Sequence, residues 1–203
     1  MTKKEAKAAA LRWLDEAAAG GRALEVRSAA DLEDRMDHLL GAAVAAVCAR
    51  FPRRAVYTVT DAWPERSPAK DAAYVRITLP GEMTALTGVR YCAPDGRLMP
   101  FSDYRRVSQG VYIIPARLNG ALVFSCIRRP VLPEAAAPED EPLDVDETAA
   151  VLVPLRLAAD MLTGVDETAV LSGYLAARYS ELAAAVYRTP EPDPAAVECV
   201  YDW

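Results

Sequence analysis

Between residues 3 and 19 apolar positions recur at helical spacing, with Ala10, Leu11 and Leu14 forming a short stripe before Gly20 and Gly21 end the run. A longer stripe follows. Leu32, Met36, Leu39, Leu40, Ala43, Val44 and Val47 recur at helical spacing as far as Phe51 and Pro52, and Ser28 with Asp31 resembles a capping arrangement at its start. Beyond Pro52 the period changes. β-branched and aromatic residues become dense and turn residues return every few positions, the texture of short antiparallel strands. Residues 56–60 and 74–79 alternate apolar with polar or small side chains. Residues 86–92 and 97–101 flank Pro94, Asp95 and Gly96, which predicts a hairpin with Gly where positive φ is cheap. Gln109 and Gly110 punctuate the next pair of strands. Asn119 with Gly120 predicts a two-residue hairpin between 111–114 and 121–127.

Residues 130–142 hold four prolines, several acids and an Ala run, the composition of an exposed connector. Helical periodicity then resumes. Residues 146–162 predict one helix, with Pro154 in its first turn or at a kink and Gly164 at its end. Residues 168–188 predict the last, with Val170, Leu171, Tyr174, Leu175, Leu182 and Val186 along one face. The sum is an α+β chain: a four-helix bundle from the N- and C-terminal helices (1–52 and 143–188) with a small antiparallel β-sheet inserted in the middle (53–130), a linker at 131–142, and a flexible C-terminal tail at 189–203. That tail ends in Val200, Tyr201, Asp202 and Trp203, apolar groups that call for a partner.

Composition sharpens this picture at a few points. The 203 residues suit one compact domain or a domain with an insertion. With Ala supplying many of the apolar residues and only three Phe, the core must depend on Leu, Val and Tyr. A formal charge of −6 and no dense basic run argue against tight nucleic-acid binding. No run is apolar and long enough to cross a bilayer, and the charged start, Met1 to Lys7, lacks the apolar core of a signal peptide, so a cytosolic setting is expected. The four cysteines, Cys48, Cys92, Cys126 and Cys199, stand singly with no CxxC pair, as reduced thiols do.

Candidate chemistry is sparse. The single histidine, His38, lies on the second helix, and Cys48 ten residues further on is nearly three turns away, too far to pair within a straight helix. The acids from Glu139 to Glu147 lead into the third helix, where negative charge meets a helix N-terminus favourably; Pro142 and the lack of Gly argue against a calcium loop. GxGxxG, GxxxxGK and GxSxG do not occur. No catalytic residue, metal ligand or cofactor is therefore expected. The pairs Arg105, Arg106 and Arg128, Arg129 suit a solvated face, internal ion pairs, or an acidic neighbouring subunit.

Several short motifs occur in an informative order: Leu79 and Pro80 opening the strands, a Tyr-Ile-x-Pro-like strand at 112–115, Asn119 with Gly120, Arg129 and Pro130 closing the strands, and Tyr174 with Tyr179 on the last helix. Together with helices on both sides of a β insertion, they resemble the head-to-tail adaptor (connector) proteins of tailed bacteriophages, of the tubular type found in short-tailed phages. The resemblance covers about residues 3–188. It implies a structural virion protein at the head-tail junction, made in the host cytoplasm from a phage or prophage gene, forming a homo-oligomeric dodecameric ring below the portal protein and carrying the next tail or neck component. DNA would pass through the channel without specific binding, and no membrane would be involved. Val200, Tyr201 and Trp203 would be the portal-binding residues. The alternative is another neck or tail component, such as a tail terminator or assembly chaperone.

Overall fold

The computed structural model describes residues 1–19, 29–163 and 169–188. The chain divides into two compact units, one from Met1–Arg53 and Pro130–Pro190, the other centred on Arg54–Arg129.

The first unit holds α1 (Lys3–Ala19), α2 (Ala29–Arg50), α3 (Leu152–Leu162) and α4 (Ala169–Arg188). It is not the expected four-helix bundle. In a bundle each helix buries one stripe and keeps its opposite face in water. Here α3 has nine of its eleven residues buried and packs against α1, α2 and α4, so it is a central helix covered by the others. Leu152, Leu155 and Leu157 are fully out of water, a burial worth roughly 2 kcal/mol apiece. The covering helices present Ala6, Ala10 and Leu14 of α1 and Met36, Leu40, Ala43, Val44 and Val47 of α2. Small residues on those faces let the backbones approach α3 closely. The third helix is also shorter than its periodicity predicts. Residues 146–151 form turns instead, in which Asp146 Oδ1 accepts from the Thr148 amide at 2.9 Å and the Asp146 carbonyl from the Ala149 amide. Pro154 falls in the first turn of α3, where the missing N–H breaks no helical bond.

The connector is ordered by the beginning of the chain. Thr2 and Glu5 form a capping box at the head of α1: the Thr2 amide donates to Glu5 Oε2 at 2.8 Å and the Glu5 amide to Thr2 Oγ1 at 3.2 Å. Thr2 bridges Pro142, and the Lys3 and Lys4 amides donate to the Glu141 and Glu139 carbonyls. Lys3, only 1% exposed, runs its ammonium group to the carbonyls of Ala135 (2.6 Å) and Ala137 (3.1 Å) and to Asp37 Oδ1 (3.0 Å). Lys7 completes the cluster, 3.0 Å from Asp37 and 2.6 Å from Glu139. Two of the acids between 134 and 147 are thus engaged locally, Glu139 by Lys3 and Lys7 and Asp146 by the turn ahead of α3, rather than at the start of the third helix, where the sequence places them.

Burial pushes the Asp37 carboxyl upward, but hydrogen bonds and charge from Lys3 and Lys7 outweigh it and hold the group below its ordinary value of 3.8. A carboxylate with a depressed folded pKa contributes stability that is fully present above the unfolded value and is lost as pH falls through the folded one. The urea midpoint of this unit should therefore stay level from about pH 7 to about pH 5 and decline below about pH 4. Asp37→Asn should flatten that acid limb; an unchanged limb would show that other carboxylates govern it.

The second unit is a sandwich of two four-stranded antiparallel sheets, where the sequence reading expects one small sheet. Its strands are β1 (Arg53–Val59), β2 (Arg66–Pro68), β3 (Tyr74–Thr78), β4 (Met83–Cys92), β5 (Leu98–Pro100), β6 (Arg105–Ser108), β7 (Val111–Pro115) and β8 (Ala121–Arg128). The orders are β1-β8-β4-β5 and β2-β3-β7-β6. Val59, Val89, Leu122, Phe124 and Cys126 of the first sheet meet Ile77, Tyr112 and Ile114 of the second in one core. The Tyr112 and Phe124 rings lie 5.4 Å apart across the two sheets, and Tyr104 packs edge-on to both.

Two predicted turns form and one does not. Gly96 (φ 82°) turns β4 into β5, and Gly110 (φ 74°) turns β6 into β7. Asn119–Gly120 is not a hairpin. β7 pairs with β3 and β6, while β8 pairs with β4 and β1, so the chain changes sheets there. A type I′ turn would need positive φ at both residues, and among the described residues only glycines have it. Gly120 (φ 146°) instead serves close approach, since a Cβ there would stand 2.3 Å from the Cys92 carbonyl oxygen. Arg66 secures the crossing, donating to the Ala116 carbonyl at 2.6 Å, the Thr60 carbonyl at 3.1 Å and Asp61 at 2.8 Å.

Candidate functional site

The second sheet has one face in the core and one in water. Ile77, Tyr112 and Ile114 point inward, so their neighbours along the strands point out. Strand register then sets Ser67, Arg76, Ile113 and Arg105 in a single row across the outer face. Arg76 and Arg105 are exposed, Ile113 between them is partly so, and neither arginine has an acidic partner among the described residues. All four residues of β6 are exposed, including Val107 at 49%, so this strand is an edge that carries Arg105 and Arg106. Charged side chains on an edge oppose indiscriminate strand pairing.

Net charge hides a division between the units. Residues 54–129 carry eleven Arg and Lys against six Asp and Glu, a formal +5. The helical unit, 1–53 with 130–190, carries twelve against nineteen, a formal −7. Seven acids and no base fall between 134 and 147. This polarity was present in the sequence, but it becomes visible only when charges are summed over the structural units rather than over the chain.

His38 is largely exposed, whereas the described cysteines are buried. The His38 side chain is 68% exposed on α2, its Nε2 3.6 Å from Asp34 one turn earlier. Cys48 is buried in the same unit, its Sγ 3.7 Å from the Asp144 carbonyl. Cys92 and Cys126 are buried in the sandwich, and burial pushes the Cys126 thiol up to about 11, the behaviour of an unreactive core thiol. No group of three or more His, Cys, Asp or Glu converges to hold a metal among the described residues, and no described helix is long and apolar enough to cross a membrane. Arg128 Nη1 donates to the Arg129 carbonyl at 3.1 Å. Cys199 and the three residues assigned to portal binding, Val200, Tyr201 and Trp203, lie outside the described residues.

Two surface concavities have their charged groups already engaged. One of about 360 Å³ beside β2 and β3 includes Arg66, whose donors serve the crossing described above. The other, about 320 Å³ at α3 and α4, contains the Arg156–Asp160 ion pair (3.0 Å), while Thr163 and Ser180 donate to carbonyls of their own helices. The buried Tyr112 hydroxyl has no partner, but neither concavity includes it, so it is a cost of core packing. The water-facing side of the second sheet sets two exposed arginines, Arg76 and Arg105, beside the partly exposed Ile113. No protein-family model matches the chain, and no curated protein sequence matches it.

Proposed function

We propose that this chain is a structural subunit of the ring that joins the head of a tailed bacteriophage to its tail, seated on the portal protein and offering a platform to the next tail component. The observation that carries the reading is the discontinuous helical unit: the chain leaves it after Arg53, builds a β-sandwich, and returns at Pro130. That layout is the one the short motifs resemble. It suits a ring subunit physically, because an insertion can offer contacts to other proteins while the helices hold the scaffold. The division of charge adds to this, since a subunit that must meet other copies of itself benefits from carrying complementary charges on its two units.

The test uses the portal protein that this reading expects to be encoded near this gene. Mixed with portal, the full chain should co-sediment and add a collar in negative-stain images, and removal of residues 190–203 should abolish co-sedimentation while leaving the helical and sheet signals in circular dichroism intact. Absence of a collar with the full chain would overturn the reading. Binding to the tail-tube protein in place of portal would mark a tail terminator. Undiminished portal binding after the deletion would remove Val200, Tyr201 and Trp203 from the contact.

A further inference from the structure

We propose that the outer face of the β2-β3-β7-β6 sheet docks on the acidic connector of a second copy of this chain, so that copies associate head to tail through unlike charges. This rests on the ring-subunit reading for the expectation that copies meet, and adds which surfaces meet.

Three observations point to this occupant. Arg76 and Arg105 stand exposed and without acidic partners in one cross-strand row. The unit that bears them is formally +5 and the helical unit −7, so a copy of the chain itself carries the complement. Apolar groups also match: Ile113 lies between the two arginines and Val107 is exposed on the edge, while the connector exposes Val131 (67%) and Leu132 (46%) ahead of Glu134. Phosphate backbones would use the arginines but leave Ile113 and Val107 against water, whereas a protein partner covers both. A basic patch on one unit and an acidic patch on the other can pair between copies, and when each copy engages two different neighbours the contact is heterologous and propagates or closes into a ring.

Sedimentation velocity on the full chain without portal tests this. At low ionic strength, about 20 mM salt, the chain should sediment as species larger than a monomer, and about 500 mM salt should dissociate them, because exposed charges are screened beyond a few ångströms. Arg76→Glu with Arg105→Glu should weaken association at least about tenfold at low salt, with an unchanged melting curve because both side chains are exposed. Mixing that variant with one carrying Glu134→Arg and Asp140→Arg should restore mixed species. A wild-type chain that is monomeric at low salt, or association indifferent to salt or to the arginine reversals, would overturn the proposal. So would reversals that abolish binding to a short DNA duplex while sparing self-association, which would give the face to nucleic acid. Because portal is absent, failure of the collar experiment leaves this result standing, and the converse holds equally.

Discussion

Lys3→Met should lower the stability of the helical unit by about 3 kcal/mol, visible as a fall of roughly 10 °C in its thermal midpoint. Methionine keeps most of the length and volume of lysine, so packing changes little and the loss is electrostatic. The carbonyls of Ala135 and Ala137 lose their donor in a site closed to water, and Asp37 is left to share Lys7 with Glu139. Breaking a buried, hydrogen-bonded charge cluster from one side costs far more than an exposed ion pair contributes, because the remaining groups stay desolvated without compensation. Lys4 is the control. It is exposed next door on the same helix, and Lys4→Met should shift stability by no more than about 0.5 kcal/mol. Equal melting curves for the two variants would mean that the Lys3 cluster does not hold the connector.

Gly120→Ala should be more damaging still, costing more than about 4 kcal/mol and leaving the sandwich unit poorly soluble. The new methyl carbon would stand 2.3 Å from the Cys92 carbonyl oxygen and 3.1 Å from the Tyr91 ring, and the backbone there has φ 146°. The oxygen belongs to the end of β4, held in register with β8 by the Cys92–Ala121 pair, so it cannot retreat without opening the sheet. The Tyr91 hydroxyl, donating to the Asn119 carbonyl, ties the same corner. Gly88 sits in the middle of β4 with open space where its Cβ would be, and Gly88→Ala should change stability by less than about 1 kcal/mol. Soluble yield and urea midpoints of the two variants make the comparison. A Gly120→Ala protein that unfolds at the wild-type midpoint would show that the crossing tolerates a side chain.

The contrast between these glycines shows where local sequence stops being informative. Gly96 and Gly110 turn one strand into its neighbour, a task carried out within a few residues, and the turn chemistry around them is sufficient to place a hairpin. Gly120 is constrained by a carbonyl 28 positions away. Asn-Gly is the strongest hairpin dipeptide, yet this one joins strands that belong to different sheets. The apolar content of β7 and β8 marks both as core strands, and it does so equally whether the two are neighbours in one sheet or lie in opposing sheets. The division of the middle segment into two sheets, and with it the row of Arg76, Ile113 and Arg105, was therefore not legible in the chain.

The same limit applies to Lys3 and to α3. At the head of an Ala-rich helix, lysine reads as a solvated cation. Only the return of residues 135–139 over α1 encloses it, and that return depends on contacts more than a hundred positions apart. The third helix announced its apolar content but not that three other helices would surround it, which is why a bundle was expected and a central helix was found. Helical stripes, the change of period after Pro52 and the turns at Gly96 and Gly110 arise from interactions between near neighbours, and the amino-acid order alone determined them. Strand partnership, the enclosure of α3, the burial of Lys3 and the meeting of unpaired arginines on one face depend on distant segments gaining more from each other than from water, and only the tertiary structure decided those.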